Sequence, residues 1–277
     1  VAEIIGGISV PHLPFTPMRV ENDPDSWVAV EYRKMAAEFE QLAPDVIVAF
    51  SPDHLASFFF DNLPTFAVAI VDQFAGATDG YPKVDSNRTV PSHRALGAAI
   101  HLHALRSDFD VSRVEHLEAD HSVIVPLQLL NVDPGLPVVP LVVNALCPPL
   151  PNASRAHAFG KAVGDAIRAF PESLRVLVLA DGGINQEVGG PRSTPGRPDG
   201  APDPAWLDHV TARLRAGEVD ELVSEATPER ISHAGNAAGE LLTVLAMLGA
   251  HGGAAADRFE PEHENGIAFG LWKGAAR

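Results

Sequence analysis

Cysteine is almost absent from this chain. The single residue, Cys147, excludes an intramolecular disulfide and any metal cluster built on cysteines. No segment approaches eighteen consecutive apolar residues, so no transmembrane helix is expected. The stretch VAEIIGGISVPHLPF has no basic leader ahead of its apolar run and does not read as a secretory signal, which makes a cytoplasmic location the simplest expectation. Basic residues are scarce as well. Twenty Lys and Arg against 36 Asp and Glu give a formal net charge of −16, which argues against nucleic acid as the main partner. A small anionic substrate stays open, since one or two arginines in a pocket would suffice.

What the chain does have is hydrophobic residues, 46% of its 277, enough to bury one large core or two small ones. Apolar runs rich in β-branched residues lie at 2–9, 45–51, 66–71, 138–144, 175–180 and 266–272. Such continuous runs suit strands covered on both faces. Helical patterns alternate with them at 25–42, 92–106, 154–170 and 237–248. Ser154 is placed to cap its helix, and Pro44 and Pro171 to close theirs. The alternation indicates a layered α/β fold over residues 1–277 as a single domain. Residues 189–204, GGPRSTPGRPDGAPDP, interrupt the plan with a loop of a length that is uncommon inside a compact domain, and are expected to form a lid or an interface arm.

Twelve histidines are the better chemical lead, and position must sort them. IIGGISVPHLP ends a strand with His12, DVIVAFSPDH ends one with Asp53 and His54, and VLVLADGGINQE breaks into glycines and amides. If these strands are parallel neighbours, their carboxyl ends place polar groups at one rim, where open α/β sheets bind ligands. Either histidine alone is equally well explained as a strand-end cap; the same placement twice favours a shared site. His121 precedes an apolar run that opens a helix or buried turn, and Asp120 before it suits a cap. Glu240 opens an apolar helix. The helix dipole accounts for a carboxylate there, yet two histidines and one carboxylate also form the set that non-haem iron(II) oxygenases use.

Taken together, SVPHLP, SPDHLASFFFDNLPTFAV, ADHSVIVPLQLL, DGGINQEVGGPR, AGNAAGEL and NGIAFGLW make the chain resemble the class III (LigB-type) extradiol catechol dioxygenases over nearly its whole length. The resemblance implies a three-layer α/β/α fold with a central mixed, largely parallel sheet. It implies iron(II) held by His12, His54 and Glu240, with His121 as an acid–base or substrate-binding group. Asp53 is expected to orient a ligand histidine. Arg192, at the mouth of the long loop, reads first as a solvated residue, with pairing to a substrate carboxylate as the alternative. O2 and an aromatic diol would be the substrates, in a homo-oligomer with a small partner subunit in some relatives.

The family pattern reads roughly G-x-G-G-[LM]-S-H-Q where this chain has ADGGINQE, so Asn185 takes the serine place and Gln186 the histidine place. Glutamine carries no titratable proton and cannot act as acid or base. Divergence to another substrate, a laboratory substitution and loss of ring cleavage each account for the change; the departure of Asn185 as well favours divergence. The rival to an active dioxygenase is a non-catalytic paralogue serving as a partner subunit or small-molecule binding module.

Overall fold

The structure, a computed structural model, describes residues 1–193, 199–253 and 255–274. Its centre is an eight-stranded sheet. In spatial order the strands are β12 (Arg258–Glu262), β13 (Ile267–Lys273), β1 (Glu3–Val10), β9 (Arg175–Asp181), β2 (Val46–Ser51), β8 (Val138–Val143), β3 (Phe66–Ala69) and β6 (Ser112–Val114). The four central strands β1, β9, β2 and β8 run parallel. Strand β13 joins β1 antiparallel, β3 joins β8 antiparallel, and β12 and β6 close the two edges.

Residues of the central strands β2 and β9 divide by parity. In β2, Val46, Val48 and Phe50 face one core while Ile47 and Ala49 face the other; in β9, Val176, Val178 and Ala180 oppose Leu177 and Leu179. Two buried faces explain why these strands read as unbroken apolar runs rather than alternating ones. On one face pack α3 (Arg94–Arg106), α5 (Ala153–Ala169), α6 (Pro204–Ala216), α7 (Val219–Glu225) and α9 (Leu241–His251). On the other pack α2 (Trp27–Leu42), α4 (His121–Leu129) and a small sheet of β5 (Arg88–Pro91), β4 (Gln73–Gly76) and β7 (Glu118–Ala119). The layering is α/β/α, as the resemblance implies. Short helices α1 (Thr16–Asn22) and α8 (Pro228–Ala234) complete the set. No helix among the described residues is long and apolar enough to cross a membrane.

Two local expectations are corrected. The cap of α5 is Asn152, whose side chain accepts from the Arg155 N–H; Ser154 instead donates to that same Asn152 oxygen. The last helix begins later than residue 237, because a 3-10 turn, Ala238–Glu240, precedes α9. The long loop is tied at its roots, where β10 (Glu187–Val188) pairs antiparallel with β11 (Asp199–Gly200). The centre of the expected lid, residues 194–198, lies outside the described residues.

Helices α5 and α9 touch backbone to backbone. A Cβ on Gly160 would sit 1.8 Å from the Ala246 carbonyl oxygen, and one on Gly249 would sit 2.2 Å from that of His157, so neither position accepts a side chain. This close crossing seats α9 on the sheet and sets the height at which Glu240 enters the site.

Candidate metal centre and substrate cleft

Strand β9 lies between β1 and β2, so the three strands singled out in the sequence end side by side. His12 follows β1 by two residues, Asp181 is the last residue of β9, and His54 follows β2 by three. The buried Tyr32 hydroxyl of α2 donates to the Pro11 carbonyl and braces the backbone just ahead of His12. Helix α4 supplies His121 at its first position, and the turn before α9 supplies Glu240.

The three imidazoles converge. Ring centroids are 5.2 Å apart for His12 and His54, 5.5 Å for His12 and His121, and 4.3 Å for His54 and His121. One donor atom from each lies within 4.8 Å of the others. Glu240 Oε1 is 3.4 Å from His12 Nε2, and its carboxylate makes no helix-capping hydrogen bond. The helix dipole therefore does not account for where this side chain points. Gly183 makes room for it: a Cβ there would lie 1.7 Å from Glu240 Oε2 and 2.7 Å from Gln186 Oε1. The glycines that break the DGG stretch thus serve the approach of a carboxylate and an amide.

Each ring presents Nδ1 to a carboxylate. His12 Nδ1 is 3.1 Å from Asp181, His54 Nδ1 is 3.2 Å from Asp120, and His121 Nδ1 meets Asp79. Such outer partners fix the ring and raise its basicity, as around metal-bound histidines. Asp120 does more than the cap the sequence suggests. One oxygen accepts from the Ser122 N–H at 2.7 Å, and the other accepts from the His54 backbone N–H at 2.6 Å and faces its ring.

Electrostatics follow from this crowding. Burial disfavours a charged His12 ring, but Asp181 and then Glu240 outweigh it and raise its pKa well above the ordinary value. His54 is raised too, against its burial, by Asp120. Burial wins at His121, whose pKa is lowered despite Asp79. It also pushes the Asp181 carboxyl up to about 6, whereas His12 overcomes burial at Glu240 and lowers it. Glu240 Oε2, Asp181 Oδ2 and Gln186 Nε2 are buried with no hydrogen-bond partner in the protein. Orphaned buried oxygens beside imidazoles held by their far nitrogens are a donor set that fits a divalent cation.

A cleft of about 390 Å³ opens over these groups, lined by His12, His54, His121, Gln186 and Glu240 and walled by Leu13, Pro14, Tyr81, Leu146, Val188, Asn236 and Ala237. A larger cleft, of about 720 Å³, runs along α2, but its walls hold no histidine. Three candidates from the sequence stand elsewhere. Asn185 is fully buried and donates to the Asp203 carbonyl at 2.7 Å, tying down the start of α6 rather than lining the cleft. The Arg192 guanidinium donates to Glu187 at 3.0 Å and to the carbonyls of Ser232 and His233, so it caps α8. Asp53 accepts from the Ser57 and Phe58 N–H groups; the carboxylate on His54 belongs to Asp120.

Sequence reasoning missed Asp181, Asp79 and Tyr81. An acid as the last residue of an otherwise apolar strand was the available signal for Asp181. Nothing local marks Asp79, which reaches His121 across 42 residues of chain.

Residues 6–269 match the family model for the catalytic LigB subunit of aromatic ring-opening dioxygenase, and the chain belongs to that family. It is similar to 2,3-dihydroxyphenylpropionate/2,3-dihydroxicinnamic acid 1,2-dioxygenase 2 of Dechloromonas aromatica (strain RCB), with 34% identity over 61% of this chain and 53% of the relative. The enzyme of the same substrate name from Azotobacter vinelandii is 31% identical over 63% of this chain and 55% of its own length. The chain thus spans about half the length of the curated relatives it matches. Among solved structures, an uncharacterized protein of Escherichia coli K12 has the same fold, with a TM-score of 0.62 at 15% identity over 98% of this chain and 100% of that one.

Proposed function

We propose that the protein is an iron(II)-dependent extradiol dioxygenase that opens a catechol-like, aminophenol-like or dihydroxypyridine-like ring beside its paired heteroatoms. The observation that carries this reading is the meeting of His12 and His54, from the carboxyl ends of β1 and β2 on either side of β9, with Glu240 from the turn before α9, inside a family of aromatic ring-opening dioxygenases. His12, His54 and Glu240 would hold the iron, and when bound it supplies the electron traffic between the diol and O2 that neither performs readily alone.

The chain's own residues do the rest. Asp181 and Asp120 hold His12 and His54 from behind and keep their outer nitrogens pointed away from the cleft. His121 takes a hydroxyl proton from the substrate at Nε2, the nitrogen its contact with Asp79 leaves free. Gln186 donates its unpartnered Nε2–H to an acceptor on the substrate, and it moves no proton. Its backbone is pinned by the Ala237 N–H on its carbonyl, 3.0 Å away, so the amide is presented from a stiff support. Leu13, Leu146, Val188 and Tyr81 shield the ring from water.

The test is O2 uptake by protein loaded anaerobically with iron(II), on a panel of catechols, aminophenols and dihydroxypyridines. Uptake on at least one class supports the reading. Full iron loading with no uptake on any of them favours the binding-module rival.

A further inference from the structure

Asp79 lies in the turn after β4, two residues before Tyr81 and 42 before the histidine it meets. That turn is not free. Strand β4 pairs with β7 through Gly76 and Ala119, and the Thr78 N–H donates to the Ala119 carbonyl at 3.1 Å. The pairing delivers the Asp79 carboxylate to the first residue of α4. There one oxygen, Oδ2, accepts twice from His121: from its backbone N–H at 3.2 Å and from ring Nδ1. The Tyr81 ring stands edge-on to the imidazole, with centroids 5.1 Å apart. Backbone, ring and turn are therefore clasped together, and only the Nε2 side of His121 remains to face the cleft that it lines.

The chemistry of the contact dictates the tautomer. An ionised carboxylate has no proton to donate, so the nitrogen against it must carry the hydrogen. Burial raises Asp79, but the His121 hydrogen bond outweighs that and holds it below its ordinary carboxylate range, so it is ionised at neutral pH. Neutral His121 is then Nδ1-protonated, with a lone pair on Nε2.

We propose that Asp79 is a positioning residue that locks His121 in the Nδ1–H tautomer, so that the nitrogen facing substrate is always a proton acceptor. This rests on the dioxygenase reading for the identity of the substrate proton, though not for the tautomer itself. In the step served, a substrate O–H bond breaks and an Nε2–H bond forms, while its electron pair stays on the substrate oxygen. The ring becomes an imidazolium with both nitrogens protonated, and Asp79, unchanged, faces the new positive charge. As the ring-opened product leaves, the Nε2–H bond breaks and the proton passes to water, which returns the ring to its neutral Nδ1–H form. A serine-protease aspartate acts in the same manner, and replacing it by asparagine gives the wrong tautomer and a large loss of turnover.

The experiment compares wild type with Asp79→Asn, both loaded with diamagnetic zinc(II), by long-range proton–nitrogen spectra of the histidine rings; a His121→Gln sample identifies the His121 signals. Wild type is expected to show His121 protonated at Nδ1 with a bare Nε2. In Asp79→Asn the amide donates to Nδ1, and the proton moves to Nε2. In iron(II)-loaded samples, turnover of the same variant falls about a hundredfold or more, with KM within about threefold and metal content unchanged. Asp79→Glu, which keeps the acceptor, restores the wild-type tautomer and part of the turnover. An unchanged tautomer in Asp79→Asn, a turnover loss below about threefold, or loss of metal in place of turnover would overturn the assignment. Absence of any turnover in wild type sinks the dioxygenase reading and leaves the tautomer to be decided by the spectra.

Discussion

Two groups of histidines are buried or half-buried, and they differ in what surrounds them. At the rim of the sheet, His12, His54 and His121 each turn Nδ1 to an aspartate. Within the helical layer, His157 on α5 and His251 on α9 are buried where those helices cross, and among the described residues neither makes an ion pair. Burial holds both helix-layer rings below the ordinary histidine pKa, with Lys161 adding to the effect at His157. At the rim, carboxylates reverse that outcome for His12 and His54. The contrast teaches that burial alone does not mark a functional histidine. A carboxylate behind one nitrogen and open space before the other does.

The largest effect expected from this contrast is on metal binding. His12→Ala, His54→Ala and Glu240→Ala should each abolish stoichiometric iron(II) binding, measured by metal analysis after anaerobic loading, while the protein stays folded by circular dichroism. His251→Ala should do the reverse, keeping full metal content while losing on the order of 2 kcal/mol in denaturant unfolding, since it leaves a hole in a closely packed crossing. Wild-type iron occupancy in any of the first three removes that residue from the centre and blurs the division.

Next comes turnover. His121→Phe should lower the rate about a hundredfold to ten-thousandfold while iron affinity changes only a few-fold. A loss below tenfold at saturating substrate would mean that another group, or the substrate itself, moves the proton.

Gln186→His sharpens the same boundary by adding a fourth imidazole to the rim. On an ordinary catechol it should raise turnover, by about tenfold if a titratable group has simply been lost from that place. On the native substrate it should lower turnover, because the amide's paired donor and acceptor read a group that imidazole serves poorly. Improvement on every substrate would contradict divergence.

The smallest effect is on stability against pH, and it belongs to the helix layer. With folded-state pKa values depressed, His157 and His251 are neutral in both states above about pH 6.5 and contribute no slope there. As pH falls below that, the unfolded chain takes up protons that the native state refuses, and stability declines by at most about 1.4 kcal/mol per pH unit for each ring until the lower folded-state pKa is passed. His251→Gln should flatten this decline in unfolding curves taken between about pH 6.5 and 5. An unaltered slope would show that His251 contributes nothing to the acid limb.

How much of this was legible beforehand follows from where the signals lie. Continuous apolar runs ending in PHLP, SPDH and ADGG exposed the central strands and the shared rim, because strand ends are local features. Glu240 became a candidate ligand only through the family resemblance, because the helix dipole by itself accounts for an acid at that place. The aspartates behind the rings were not all readable. Asp79 and His121 meet only through the pairing of β4 with β7, and Asp181 acquires its meaning only when β9 inserts between β1 and β2. Arg192 shows the opposite error. An arginine at the mouth of a loop suggests an anion, but Glu187, one residue past the site, claims it. Asn185 was read with Gln186 because the two depart from the family pattern together, yet they leave a bend in the chain toward different partners, Asn185 toward Asp203, and only Gln186 lines the cleft.

The central claim is that the rim is a ring-opening oxygen site, and isotope labelling tests it most directly. Iron(II)-loaded protein supplied with 18O2 and a substrate that it consumes should give a ring-opened product carrying both labelled atoms, one O2 taken up per ring, with the break beside the paired heteroatoms. Label appearing only in hydrogen peroxide or water, or a product with an intact ring, would contradict it.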